Sequence, residues 1–304
     1  MNYTEEDLIV YLCKKVAGVG EKTATAVAVY LGSMENLFDR IETIHDLKKV
    51  NGKKVLNDSQ IDELKTILNE YVPQKTIELR RTWISVLIRD FVKNCIREIR
   101  ETDLNTLLIN PFLIKAFGFD DHKEVVTFYF YQKVTRSVVT SWGFTVEALL
   151  LCSGAEESDL EGFDIKVAQE EKEYHFQVKS SPNTMSIEQV RQLNTHIQKI
   201  KDTTKQLPML GMTYGRREQI NSQIQSTLMG YPQSTLIGRE FWDFIARETG
   251  YCQKTLDWIN DVMILEPVKF SKILEGKRLL LIDEWEKTLG TGKFSIEKVL
   301  GNYL

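Results

Sequence analysis

The chain has 304 residues, 42% of them apolar and 27% charged, with a formal net charge of −4. These values are ordinary for a folded protein, and six prolines and 17 glycines argue against a disordered or repetitive chain. The length predicts about two domains. The cysteines form no CxxC pair, so we expect neither a zinc site nor disulfides, and a reducing, cytoplasmic compartment. With no signal-peptide pattern and no apolar run of roughly 20 residues, we expect no membrane partner.

The N-terminal quarter of the sequence predicts a small helical unit. Apolar residues recur at helical spacing over 5–15, and 22–31 is a second helix that Gly32 can end. Two more helices are predicted over 44–50 and 58–71, with Pro73 closing the unit. The sequence therefore predicts an all-α domain over residues 1–73.

A glycine turn connects the first two predicted helices. Its two glycines allow a tight turn, and Lys22 and Thr23 fall in the first turn of the next helix, where free N–H groups favour an anion. The segment resembles a helix-hairpin-helix motif, which binds the DNA backbone without regard to sequence, and a second turn is similar to a degenerate copy. The resemblance implies phosphate contacts from Gly18, Val19, Gly20, Lys22, Thr23, Gly52 and Lys53. Residues 1–73 contain nine Lys or Arg and twelve Asp or Glu, so any contact with DNA is limited to the turn. A helical hairpin with no ligand is the alternative.

From residue 74 onward the pattern predicts a small sheet set among helices. Residues 162–168 and 174–179 read as strands around a charged turn, and a crossover helix leads to two further short strands before the chain becomes mostly helical. The predicted order is α/β, a sheet core with helical additions. The predicted helices cover 76–99, 120–141, 144–152, 186–201, a helix starting at 241 and most of the remainder, with further short strands over 209–214 and 234–237.

Three polar residues of the two central strands suit metal-dependent phosphodiester hydrolysis. Asp164 begins one strand, and Gln177 and Lys179 lie two residues apart at the end of the next, so the latter two share a face. An antiparallel hairpin would bring Asp164 close to them. A carboxylate holds a hard cation such as Mg²⁺, which lowers the pKa of an attacking water, and a lysine stabilises the developing charge.

These residues resemble the PD-(D/E)XK nuclease motif and, within it, the type II restriction endonucleases. The polar segment 180–184, the helix start at 143–147 and the segment 238–242 extend the resemblance over about residues 76–250. It is similar in pattern to enzymes that cut interrupted GC-rich palindromes of the GGNCC kind. The resemblance implies a restriction-endonuclease-like catalytic domain over 74–304, Mg²⁺ held by Asp164, Gln177 and Glu147, and Lys179 assisting the nucleophile.

The sequence departs from the motif at two positions. Gly162-Phe163 stands where proline is common, and Gln177 stands where the family has Asp or Glu. An amide oxygen can bind a metal, but it is neutral and a weaker ligand. We therefore expect Glu147 to supply the missing negative charge.

A local excess of positive charge accompanies the motif. Residues 175–217 hold seven Lys or Arg and two acids, which matches a phosphate footprint. Arg, Asn and Gln are the side chains that pair with base edges. The candidates for DNA contact are Ser181, Asn183, Gln189, Gln192, Asn194, Arg216 and Arg217, with solvated surface groups as the alternative for each. The basic helix over 76–99 suits a second phosphate wall, a dimer helix or an exposed salt-bridged helix. The histidines share no metal-ligand spacing.

The combined hypothesis is a type II restriction endonuclease that cuts both strands of a specific, palindromic duplex DNA site. A palindromic site implies a homodimer, and the resemblance implies a prokaryotic cytoplasm and a cognate DNA methyltransferase as functional partner. The glycine turns would grip flanking backbone. The alternatives are a structure-specific repair or junction nuclease and a non-catalytic DNA-binding relative.

Overall fold

A computed structural model describes residues 3–46, 54–72, 78–201, 206–264 and 269–303. It contains two compact units. One comprises Met1–Arg89 with Thr145–Val262, and the other comprises Asp90–Phe144 with Met263–Leu304. The predicted domain boundary at residue 73 lies outside the described residues and stays a prediction.

Helices account for most of the described residues. The helices are α1 (Glu5–Cys13), α2 (Glu21–Leu31), α3 (Met34–Arg40), α4 (Asp58–Tyr71), α5 (Leu79–Glu101), α6 (Pro111–Phe117), α7 (His122–Cys152), α8 (Ile187–Lys201), α9 (Ser222–Thr227), α10 (Arg239–Ala246), α11 (Tyr251–Ile264), α12 (Phe270–Leu289) and α13 (Gly292–Tyr303).

The N-terminal helices begin and end where their capping residues predict. The Thr4 hydroxyl accepts from the Asp7 N–H at the start of α1, and the Asp7 carboxylate accepts from the Thr4 N–H. Gly32 adopts a left-handed φ of 71° after α2. The predicted helix over 44–50 is wrong in its described part, since Ile41–Asp46 is a 3₁₀ helix. This segment follows α3 directly, and tight 3₁₀ turns are common at such helix ends.

The predicted break between helices near residue 143 is also wrong. Helix α7 runs without interruption over 31 residues. Gly143 lies within it, and a Cβ placed on it would meet nothing within 4 Å. A single helical glycine costs only about 1 kcal/mol relative to alanine, which the packing of buried residues such as Phe130 and Leu149 offsets.

A five-stranded sheet forms the centre of the first unit. Its strands are β1 (Glu156–Glu157), β2 (Ile165–Gln169), β3 (Lys172–Lys179), β4 (Gln206–Met212) and β5 (Thr235–Ile237), in that spatial order. Strands β1, β2 and β3 pair antiparallel, whereas β3, β4 and β5 pair parallel. The predicted hairpin is confirmed, although β2 starts at Ile165 rather than 162 and β4 ends before Tyr214. Helix α8 makes the crossover from β3 to β4 that a parallel pair requires.

The two faces of the sheet pack against different helices. On one face, the Phe176 ring lies 5.2 Å from Phe241 and 5.7 Å from Phe244 of α10. On the other face, Leu210 and Met212 of β4 pack with the apolar side of α8 in one buried cluster. Because paired residues on neighbouring strands share a face, the pairs Gln177–Leu210 and Lys179–Met212 place Gln177 and Lys179 on the α8 side.

The second unit is helical in its described residues. Its core combines the apolar sides of α5, α7 and α12, with Phe130 and Trp285 fully buried. The Trp285 indole donates to the Ser295 hydroxyl over 3.0 Å, so the buried polar group has a partner. In the described part of the chain, no helix combines the length and the apolar character needed to cross a bilayer.

Candidate active site

The hairpin brings Asp164 opposite Gln177, as the sequence predicts. Strand β2 pairs Ile165 with Phe176 and Lys166 with His175. Continuing that register by one residue sets Asp164 against Gln177, and the Asp164 N–H donates to the Phe176 carbonyl over 2.8 Å. Residues opposite each other in an antiparallel pair present their side chains to the same face. Asp164 and Gln177 therefore occupy neighbouring positions at the end of the hairpin.

Three hydrogen bonds fix the position of Asp164. Besides its own N–H bond, its carbonyl accepts from the Ser158 N–H over 3.2 Å. Its Oδ2 accepts from the Val178 N–H over 2.6 Å. A carboxylate that accepts from a backbone N–H makes a strong, charge-assisted bond. The Asp164 carboxylate is thus held against the strand that carries Gln177 and Lys179.

Gln177 carries a buried side-chain oxygen that the described residues leave without a hydrogen bond. The residue is half-buried, and its Oε1 is inaccessible to solvent with no hydrogen-bond donor among the described residues. A buried acceptor left unsatisfied costs about 1–3 kcal/mol. A cation or a donor from a ligand would remove that cost, and oxygen atoms are the ligands that Mg²⁺ prefers. The donor set at this position therefore fits a hard divalent cation.

Glu147 lies close enough to the Asp164 carboxylate to be affected by its negative charge. It lies on the last part of α7 and is half-buried. Burial raises the pKa of its carboxyl group, and the negative charges of Asp164 and Glu157 raise it further. Like charges and low solvation both disfavour the ionised form. A bound cation would reverse this effect, and clustered carboxylates with a shifted pKa are typical of functional sites.

Lys179 is the last residue of β3, two positions beyond Gln177. Its carbonyl accepts from the Thr213 N–H over 3.0 Å, in the segment that follows β4. The period of two places the Lys179 side chain on the face that carries Gln177. The ends of the parallel strands thus position the lysine beside the predicted metal ligands.

The polar segment after Lys179 is fastened to the segment after β4. The Thr213 hydroxyl donates to the Ser180 carbonyl over 3.0 Å, and the Asn221 N–H donates to the Pro182 carbonyl over 3.2 Å. Gly215 has a φ of +113°, and a Cβ placed on it would lie 2.9 Å from the Pro182 ring. The turn carrying Ser181 and Asn183 is therefore held close to the strand end, with Asn183 exposed.

The predicted DNA-contacting side chains fall into two groups. Asn194 donates to the Thr227 carbonyl and accepts from the Met229 N–H. Arg217 pairs with Glu240 over 2.7 Å. These two side chains are engaged by the fold, and Gln189 caps α8 by accepting from the Ser186 N–H. The exposed members are Asn183, Gln189, Gln192 and Arg216.

The N-terminal glycine turn has the predicted local form. Gly18 has a left-handed φ of +74°, and Gly20 is the N-cap of α2, so Lys22 and Thr23 lie in its first turn and Val19 is buried beneath it. Helix α4 engages this turn, since the Gln60 amide donates to the Ala17 carbonyl over 3.1 Å. Its second predicted copy, with Gly52 and Lys53, lies outside the described residues.

One group beside the site was missed by the sequence analysis. Donor atoms of Asp159, Glu173 and His175 lie within 4.8 Å of one another. His175 is fully buried, with Nε2 2.6 Å from Glu173 Oε1 and Nδ1 2.8 Å from Ser158 Oγ. The available signal was strand alternation, because His175 shares a face with Gln177, whereas a search for metal-ligand spacing among histidines could not find it.

Comparison with known families identifies the family to which the chain belongs. A family model described as type II restriction endonuclease EcoO109I matches residues 78–262. The chain belongs to this restriction endonuclease family. The matched region runs from α5 to α11 and includes Glu147, Asp164, Gln177 and Lys179, whereas the N-terminal helices lie outside it. Membership in this family indicates a nuclease that acts on DNA. A search of the curated proteins found no match.

Proposed function

We propose that this protein is a Mg²⁺-dependent type II restriction endonuclease that hydrolyses both strands of a specific, palindromic DNA site. The observation that carries the proposal is the buried Gln177 Oε1, which has no hydrogen-bond partner in the described part of the chain and belongs to the residue opposite Asp164, whose carboxylate is hydrogen-bonded to the backbone. In a member of a restriction endonuclease family, two such oxygen-bearing side chains at the end of the hairpin support a metal-binding site.

The chain supplies three oxygen-bearing side chains for that ion. Asp164, Gln177 and Glu147 would hold Mg²⁺, and the neutral amide of Gln177 makes the charge of Glu147 more important than it would be beside a second acid. When bound, the metal polarises the scissile phosphate and acidifies an attacking water.

The remaining roles belong to side chains of the protein. The Lys179 ammonium group stabilises the negative charge that develops on the phosphate and helps to orient the water. The hydrogen bond from the Val178 N–H to Oδ2 orients the Asp164 carboxylate before any ligand binds. Such preorganisation keeps the reacting groups within attacking distance.

DNA recognition is proposed for the surface around the strand ends. Asn183, Gln192 and Arg216 are exposed and belong to residue types that read base edges, while Ser181, Gln189, Asn194 and Arg217 would support that surface or contact backbone. The helix-hairpin-helix turn would hold flanking phosphates through Gly18–Thr23. A palindromic, GGNCC-like site implies a homodimer, and a cognate methyltransferase would protect the host DNA.

The decisive experiment is digestion of unmethylated phage DNA by the purified chain with Mg²⁺, with EDTA, and with the variant Asp164→Asn. We expect discrete bands from the wild type with Mg²⁺ and none from the other two reactions; the ends of the fragments give the site. Exposed Glu156 provides the matched control, since Glu156→Gln should cut normally. A smear, or cutting of branched oligonucleotides alone, would indicate the structure-specific nuclease, and binding with no cutting of any substrate would indicate the non-catalytic relative.

A further inference from the structure

A chain of partly buried hydrogen bonds lies beside the candidate metal site. His175 is fully buried and shares hydrogen-bonding contacts with Ser158 through Nδ1 and with Glu173 through Nε2, over 2.8 and 2.6 Å. Glu173 Oε1 also accepts from the Gln206 amide over 3.1 Å. Strand β3 and the first residue of β4 are in this way connected to the loop that precedes β2.

This loop ends at Asp164. Ser158, at its start, donates its N–H to the Asp164 carbonyl over 3.2 Å, and its hydroxyl accepts from the Leu160 N–H over 3.2 Å. The His175 ring also lies edge-on to Phe163, with the ring centres 6.3 Å apart. The imidazole therefore contacts the loop at both ends, beside the residue that delivers the carboxylate.

We propose that Ser158, His175 and Glu173 form a brace that sets the position of the Asp164 carboxylate, with His175 as its positioning residue. This inference rests on the proposed function, because it gives Asp164 the role of a metal ligand. Partners that orient a metal ligand contribute to affinity without touching the ion, and their loss typically weakens metal binding by 10- to 100-fold.

The hydrogen bonds favour a brace over a second metal site at Asp159, Glu173 and His175. Both imidazole nitrogens already lie at hydrogen-bond distance from protein oxygens. Asp159 is exposed, and its Oδ1 is 3.4 Å from the Lys166 ammonium group. A metal would have to displace these partners. Under the brace assignment, Asp159 has no part in positioning Asp164 and serves as an internal control.

The experiment measures Mn²⁺ binding to the full chain without DNA, from the electron paramagnetic resonance signal of free Mn²⁺. We expect Ser158→Ala and His175→Gln each to weaken binding about tenfold, and the double variant to be no weaker than the stronger single effect, because both break one brace. Asp159→Asn should stay within about twofold of the wild type. The Mg²⁺ concentration for half-maximal DNA cleavage should rise in parallel, with cleavage recovering at saturating Mg²⁺.

Each result has a distinct meaning. Unchanged Mn²⁺ affinity in Ser158→Ala and His175→Gln would overturn the brace. So would loss of one of two bound ions in Asp159→Asn, since that would make the cluster a metal site. If His175→Gln does not fold, Ser158→Ala decides alone, because it removes the loop end of the brace and leaves the buried ring in place. Unchanged binding in Asp164→Asn would instead overturn the proposed metal site itself.

Discussion

The hairpin of β2 and β3 and the N-terminal glycine turn both carry polar residues with a predicted function, yet the two regions differ in how the polar groups of those residues are satisfied. At the end of the hairpin, Gln177 Oε1 is buried with no hydrogen-bond partner among the described residues. The pKa of the Glu147 carboxyl group, on α7, is raised by burial and by nearby negative charge. In the glycine turn, Lys14 pairs with Glu21 over 2.5 Å, and Lys22 is exposed to solvent. Unsatisfied buried groups indicate a missing ligand, whereas solvated groups allow only a weak one. The comparison predicts large functional effects in the hairpin and small ones in the turn.

The largest effect is expected at Lys179. Lys179→Met should lower the rate of DNA cleavage by roughly 10²–10³-fold or more, because it removes the ammonium group that we propose stabilises the transition state. DNA binding should change only a few-fold. Cleavage assays and gel shifts without metal measure the two quantities. Lys172→Met, at the exposed start of the same strand, is the matched control; equal loss in both variants would remove Lys179 from the site.

A substitution at Gln177 tests whether its buried Oε1 is a metal ligand. Gln177→Glu should lower the Mg²⁺ concentration for half-maximal cleavage by about tenfold, since it adds a negative charge to the oxygen ligands of a hard cation. It should also destabilise the metal-free protein, because it places a charge near Asp164 and Glu147. Calorimetric titration with Mg²⁺ and thermal unfolding in EDTA measure these effects. A variant with lower Mg²⁺ affinity would contradict the ligand role.

The two left-handed glycines of these regions differ in their surroundings. Gly162 precedes Asp164 with a φ of +87°, and a Cβ placed on it would lie 2.6 Å from the His196 ring. Gly162→Ala should therefore destabilise the protein by about 2–4 kcal/mol through strain and overpacking. At Gly18 the nearest atom would be Gln60 Nε2 at 3.6 Å, so Gly18→Ala should cost only about 1 kcal/mol. Urea unfolding of both variants compares them, and equal losses would contradict the difference.

Glu147, on α7, makes the stability of the protein depend on pH. Its pKa is raised in the folded protein, first by burial and then by the charges of Asp164 and Glu157. The folded state therefore binds a proton on Glu147 more tightly than the unfolded state does. The stability gained from this proton is fully present below the ordinary carboxyl pKa of 4.5 and is lost as the pH rises through the raised pKa. Without metal, Glu147→Gln should be more stable than the wild type near neutral pH, with the advantage disappearing at pH below about 4.

Thermal unfolding at several pH values in EDTA, repeated with saturating Mg²⁺, measures this dependence. Mg²⁺ should stabilise the wild type more than Glu147→Gln, because the cation neutralises the carboxylate. Glu156→Gln, at an exposed position, should show neither effect. A constant difference between Glu147→Gln and wild type over the whole pH range would contradict the charge cluster.

The smallest effect is expected in the glycine turn. Lys22→Ala should weaken binding to duplex DNA of any sequence about two- to threefold and reduce the salt dependence by about one phosphate contact. Fluorescence anisotropy at several salt concentrations measures both. Arg40→Ala removes a charge that is engaged by Tyr30 and should change neither. A tenfold loss at Lys22 would mean that the turn contributes as strongly as the hairpin.

The sequence predicted the hairpin because its signals are local. Alternation along 174–179 and a charged turn fix the pairing, and the register then brings Asp164 to Gln177. The turn itself contains Glu170 and Glu171 with φ values of 50° and 61°, a strained choice for these residues that the flanking strands impose.

Long-range features were harder to predict. The uninterrupted α7 depends on packing that outweighs the weak helix propensity of Gly143, and single-residue propensity does not contain that term. The hydrogen bond between Ser158, in the loop before β2, and His175 of β3 joins residues 17 positions apart, and no sequence spacing predicts such a bond. The roles of Glu147 and of the DNA-contacting residues stay predictions, since they depend on partners that the fold must bring together.

The lengths of the strands also affect whether the protein can self-associate through the edges of its sheet. The inner strand β3 has eight residues, whereas the outer strands β1 and β5 have two and three. An outer strand displays unpaired backbone donors and acceptors that can recruit another chain. With so few residues at either border, the sheet offers a poor template for cross-strand aggregation. Self-association through sheet extension is accordingly disfavoured, and a functional dimer would have to form through helices or loops.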